Sequence, residues 1–106
     1  RIEGHGYRAF IAEFVAAIRE VYPDALLQWE DFSNRTSFEN LSTYRHQIPS
    51  FNDDIQGTAA MVVAGLKVAT RHIGSRISNQ RIVIVGAGSA GIGIRDQIAT
   101  AMGGRQ

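Results

Sequence analysis

Phe51-Asn52-Asp53-Asp54-Ile55-Gln56-Gly57-Thr58-Ala59 sets two adjacent carboxylates between the end of an apolar run and the start of a helical pattern. Glu30-Asp31-Phe32, about two dozen residues upstream, repeats the design after Ala25–Trp29. Side chains at the ends of neighbouring strands in an open α/β sheet converge on one crevice. Four carboxylates gathered there without balancing charge repel one another, so the arrangement asks for a cation. Oxygen-only donors suit Mg²⁺ or Mn²⁺ rather than zinc. Each pair by itself also has a plainer reading. Glu30 and Asp31 can form a polar turn, and Asp53 and Asp54 can favour the exposed N–H groups that open a helix.

Downstream, the β-branched run Arg81–Val85 leads into Gly86-Ala87-Gly88-Ser89-Ala90-Gly91. This is the Gly-x-Gly-x-x-Gly pattern of a dinucleotide loop, with a predicted strand before it and a helix after it. Gly86 permits the tight turn, Gly88 lets backbone approach a pyrophosphate, and Gly91 lets the helix pack on the strand. Ser89 adds a hydroxyl, and Ser89 and Ala90 open the helix whose N–H groups face the phosphates. The plainer reading is a glycine turn with no ligand. A cation site and a dinucleotide loop in one chain point to an oxidoreductase.

The remaining pattern supplies the frame. Tyr7, Phe10, Ile11, Phe14, Val15, Ile18 and Tyr22 recur at helical spacing, and Pro23-Asp24 ends that helix. Ser33 or Asn34 caps a second helix carrying Phe38, Leu41 and Tyr44, which Pro49 stops. Ala59, Val62, Val63, Leu66, Ala69 and Ile73 mark a third, closed by Gly74. Ala90, Ile94, Ile98 and Ala101 mark the last. With strands at Ala25–Trp29, Pro49–Phe51 and Arg81–Val85, the order is α-β-α-β-α-β-α. That order predicts an α/β fold: a mostly parallel sheet with flanking helices.

The chain has 106 residues, a formal charge of +1 and no cysteine. That is enough for one modest core, and it excludes a disulfide scaffold and a thiol metal site. Near-neutral charge leaves no basic face for nucleic acid and no polybasic membrane patch. Lys67 and Arg71 interrupt the most apolar stretch, and no charged-then-apolar leader opens the chain. A soluble, cytoplasmic protein is the expectation. Trp29 and Phe32, beside the first acid pair, are expected in the core.

Leu26–Phe32, Phe51–Ala59 and Gly86–Gly93, in this order and spacing, resemble malic enzyme, and the likeness runs from about Tyr7 to the end. The resemblance implies that Glu30, Asp31 and Asp54 ligate Mg²⁺ or Mn²⁺ and that Asp53 lies close to the reacting hydroxyl. Gly86, Gly88, Ser89, Ala90 and Gly91 would hold NAD or NADP. It further implies L-malate as substrate, oxidative decarboxylation to pyruvate and CO₂, a homo-oligomeric parent, and the cytoplasm or an organelle matrix. A domain boundary is expected near Asp54. Residues 1–54 end a metal and substrate domain, and residues 55–106 begin a Rossmann-type dinucleotide domain.

The family's proton-transferring tyrosine and lysine have no counterpart here, since Tyr7, Tyr22, Tyr44 and Lys67 belong to helical patterns. The chain therefore reads as a piece of a longer enzyme, expected to be inactive alone. Malolactic enzyme, which turns malate into lactate on bound NAD, shares these motifs. A non-catalytic α/β module whose acids cap helices is the alternative from another class.

Overall fold

A computed structural model describes residues 2–104. Helix α1 (Gly4–Val21) buries Ile11 and Val15, with Tyr7 and Ile18 beside them on the same stripe. This spacing of three and four residues stacks side chains on one face. Phe10 and Val21 lie to one side of that stripe and Phe14 at its edge, and all three are exposed.

Strand β1 (Leu27–Trp29), helix α2 (Asn34–Tyr44) and strand β2 (Ser50–Asn52) form a β-α-β unit with parallel strands. The register pairs Leu27 with Ser50, Gln28 with Phe51 and Trp29 with Asn52. Helix α2 starts where predicted, because the Ser33 hydroxyl accepts the Thr36 N–H at 3.3 Å. Trp29 is 2% exposed and sits between Phe32, edge-on at 5.8 Å, and Tyr44, tilted at 5.8 Å. Burial pushes the Tyr44 phenol above its ordinary range, aided by Tyr7 and Glu39 nearby. Asn40, buried in α2, donates to the Tyr7 hydroxyl at 2.8 Å and ties α1 to the unit.

Asp53–Gly57 follow β2 as one π-helical turn that runs into α3 (Thr58–His72). Neither aspartate caps it. The cap is Asn52, whose side-chain oxygen accepts the Ile55 N–H at 2.9 Å, while Gln56 Oε1 accepts the Asn52 N–H at 2.9 Å. Gly74, at φ +66°, ends α3 as its position predicts. A short 3₁₀ turn (Ile77–Asn79) precedes α4 (Ser89–Ala101). Helix α4 packs on α3 and on the π turn. There Gly93 meets the Ile55 carbonyl with no room for a Cβ, and Gln97 Nε2 donates to the Gln56 carbonyl at 3.0 Å.

The third strand is a correction. Among the described residues Arg81–Val85 joins no ladder, and Val83 and Val85 are 87% and 97% exposed. Strand propensity needs a partner for the backbone N–H and C=O groups, and none lies alongside. The architecture is thus mixed α/β, with four helices and a parallel two-stranded sheet. Its radius of gyration is 16.7 Å, against about 13 Å for a compact domain of this length. Helices α3 and α4 accordingly leave Met61, Val68, Val83 and Val85 uncovered.

Two glycines of the helices should respond oppositely to alanine. Gly93→Ala drives a methyl into the Ile55 backbone and is expected to cost about 1–3 kcal/mol. Gly65, in α3, has open space around its Cα, so Gly65→Ala should stabilise by about 0.5–1 kcal/mol. Urea unfolding midpoints of the full-length protein decide it, and equal effects at the two sites would refute the packing described.

Candidate metal and dinucleotide site

Parallel pairing makes β1 and β2 leave the sheet at the same end, and the Trp29–Asn52 pair sets both acid pairs at that edge. Asp31 turns the chain there in the left-handed region, φ +57°, uncommon outside glycine though aspartate visits it more than most residues. Part of what holds it there is visible. The Asp31 N–H donates to Asp54 Oδ2 at 3.2 Å, linking the two loops across 23 positions. One carboxylate oxygen each from Glu30, Asp31 and Asp54 lies within 4.8 Å of the others. Gln28 Nε2 donates to Glu30 Oε2 at 2.6 Å and steadies it. Among the described residues no lysine or arginine pairs with any of the three.

This donor set fits a hard divalent ion. Mg²⁺ and Ca²⁺ take oxygen ligands at about 2.0–2.6 Å, so oxygens on opposite sides of such an ion stand about 4–5 Å apart. Glu30 and Asp31 are exposed and Asp54 is half-buried, which leaves room for water or a substrate oxygen to complete the coordination.

Asp53 departs from the expected convergence of four acids. Its carboxylate lies against the Cα of Gly57, so closely that no Cβ fits there, and it is not one of the clustered three. Consecutive residues of a helical turn project in different directions, so Asp53 and Asp54 cannot both face the β1 loop.

The glycine loop opens α4 as predicted, with its parts redistributed. Gly86 sits at φ +130°, open to glycine alone. A Cβ on Gly91 would strike the Gly86 carbonyl, so this glycine closes the loop on itself rather than packing helix on strand. The helix-packing glycine is Gly93. A Cβ on Gly88 would reach Asn34 Oδ1 at 3.5 Å, ordinary contact.

Ser89 is buried at the start of α4, and both its N–H (3.1 Å) and its hydroxyl (2.9 Å) donate to Asn34 Oδ1. Asp31, Phe32, Asn34, Asp54, Gly88, Ser89 and Ala90 line one open cleft of about 390 Å³. Two of the three clustered acids and the Gly88–Ala90 end of the glycine loop therefore share a cleft, while Gly86 and Gly91 line a neighbouring one. Sequence reasoning treats Asn34 only as a possible cap. Its sole signal is an amide three residues beyond Asp31, at a helix start that Ser33 already caps.

Residues 1–45 match the family model described as malic enzyme, N-terminal domain, and residues 55–105 the one described as malic enzyme, NAD binding domain. NAD-dependent malic enzymes of Salmonella agona and Salmonella enteritidis PT4 are each 52% identical to the chain over 98 residues. The match covers 92% of this chain and 17% of each relative, so the chain spans about a sixth of their length.

The left-handed turn gives a stability test that needs no ligand. Asp31→Gly removes a Cβ from a strained position and one charge from a crowded cluster, so metal-free stability should hold or rise by up to about 1 kcal/mol. Asp31→Val puts a β-branched side chain there and should cost about 1–2 kcal/mol. Thermal unfolding in the presence of a chelator measures both. A destabilised Asp31→Gly beside a neutral Asp31→Val would contradict the turn.

Proposed function

The chain belongs to the malic enzyme family, and we propose that it carries the cation ligands and the phosphate-facing half of the cofactor site of an NAD-dependent decarboxylating malate dehydrogenase. Residues 1–54 are assigned to the end of the metal and substrate domain, and 55–106 to the start of a Rossmann-type domain. The two family matches, which end at residue 45 and begin at residue 55, support that division. NAD is preferred to NADP, in line with the names of the relatives. In the proposed reaction L-malate loses a hydride from C2 and its β-carboxylate as CO₂, leaving pyruvate.

One observation carries the reading: three carboxylates without a basic partner among the described residues cluster together, and two of them, Asp31 and Asp54, line one cleft with Gly88, Ser89 and Ala90. Glu30, Asp31 and Asp54 would hold Mg²⁺ or Mn²⁺, and their oxygens suit no softer metal. When bound, the cation supplies Lewis-acid stabilisation of an oxyanion, and the dinucleotide accepts the hydride. Gly86, Gly88 and Gly91 shape the backbone for the pyrophosphate. Ser89 and Ala90, in the first turn of α4, contribute the end of the helix that favours negative charge. Asp53 is assigned to the 2-hydroxyl of the substrate on its adjacency to Asp54 and on the family resemblance, although its carboxylate lies against Gly57 and apart from the clustered acids.

Asp54→Ala in the full-length protein should weaken Mn²⁺ binding by about 100-fold or more and take malate turnover to background. Near wild-type turnover with unchanged Mn²⁺ affinity would sink the ligand assignment. Following net reduced cofactor together with pyruvate and lactate in the same assay separates oxidative decarboxylation from the malolactic reaction.

For the loop, Gly88→Val should raise the KM for NAD strongly with little effect on Mn²⁺, and Gly88→Ala should be milder. A Cβ at Gly88 makes only ordinary contact with Asn34, so the effect of Gly88→Ala reports on the ligand, and Gly88→Val is compared with wild type for thermal stability before its KM is read. Equal dinucleotide affinity in wild type and Gly88→Val would make the loop a structural turn.

A further inference from the structure

We propose that Asn34 is a positioning residue that couples the cation site to the dinucleotide loop, its amide oxygen holding the first turn of α4 at a set distance from Asp31. The proposal rests on the reading of the cleft as a shared cation and dinucleotide site. Asn34 Oδ1 accepts two hydrogen bonds from Ser89, from the N–H at 3.1 Å and from the hydroxyl at 2.9 Å. The two residues are 55 positions apart, and among the described residues these are the only polar contacts joining the two loops. Ser89 is 7% exposed, so its polar groups need this partner; an unmet buried donor is costly.

The segment that carries Asn34 is held at both ends. Asp31 is tied to Asp54 by its N–H, the Ser33 hydroxyl caps α2, and the Phe32 carbonyl accepts from the Ser37 hydroxyl at 3.1 Å. The start of α4 is thus bonded to Asn34, three residues along the chain from Asp31, which is itself bonded to Asp54. Movement of the helix that meets the dinucleotide shifts the acids that meet the cation. By linkage, each ligand then changes the affinity for the other by one factor.

The test is a binding cycle on the full-length protein. Mn²⁺ is titrated with and without saturating NAD, and NAD with and without saturating Mn²⁺. Wild type is expected to bind each more tightly when the other is present. Asn34→Ala should reduce that ratio by about 3- to 10-fold, while the affinity for Mn²⁺ alone changes by less than about twofold. Asn34→Ala leaves both Ser89 donors without this partner, so its thermal unfolding midpoint is read beside the binding cycle, and Ser89→Ala serves as the milder variant.

Ser89→Ala keeps the N–H bond and should lose less, and adding Asn34→Ala to it should bring the ratio no lower than Asn34→Ala alone. Three results overturn the proposal. They are an unchanged ratio in Asn34→Ala, independent loss in the double variant, and wild-type protein that binds both ligands without mutual effect. Wild-type protein that binds neither ligand would instead fail the underlying reading of the cleft, and the proposal with it.

Discussion

The parallel pairing of two three-residue strands governs everything else in this chain. Because Trp29 stands opposite Asn52, the backbone leaves both strands at one edge, and acids 23 positions apart become neighbours. A register slip of one residue would reverse which side chains face the core. It would bury Glu30 where Trp29 now lies. The aromatic group of Trp29, Phe32 and Tyr44 opposes that slip by filling the core side of β1. The cluster of carboxylates is thus positioned by packing on the opposite side of the strand.

Stability and chemistry pull against each other at this edge. Three like charges converge with no basic partner among the described residues, and Asp31 adopts a backbone conformation that suits glycine better. Two hydrogen bonds offset part of that cost, the Asp31 N–H to Asp54 and the Gln28 amide to Glu30. Strained backbone of this kind persists where the surroundings over-determine it, and it concentrates at working sites. Asn52 plays the complementary part. Fully buried, it caps the π turn with its oxygen and leaves Nδ2 without a partner.

Much of this was legible in the sequence, for reasons that differ by residue. The helices announce themselves through three- and four-residue spacing and through Ser33, Gly74 and Pro49, which are local signals. The clustering of Glu30, Asp31 and Asp54 follows once the strands are parallel, so it could be anticipated from the order of elements. The turning away of Asp53 could not, because it depends on a π-helical turn that no composition marks. The strand predicted at Arg81–Val85 fails for the converse reason: β-propensity describes a fit to neighbours, and neighbours are a tertiary matter. Asn34 was hidden by Ser33, which performs the local task and frees the amide for a residue 55 positions away.

The run Ile82-Val83-Ile84-Val85, in which Val83 and Val85 are almost fully exposed, has a consequence for handling the isolated chain. Four consecutive β-branched residues with unmet backbone groups form a template on which identical runs from other molecules can stack as cross-β. Arg81 guards only one side, as charged gatekeepers do, and the other side is the neutral glycine loop. Colloidal behaviour of the isolated polypeptide would then be dominated by this tetrapeptide rather than by the acids, and its solubility by how well that edge is kept from a second copy.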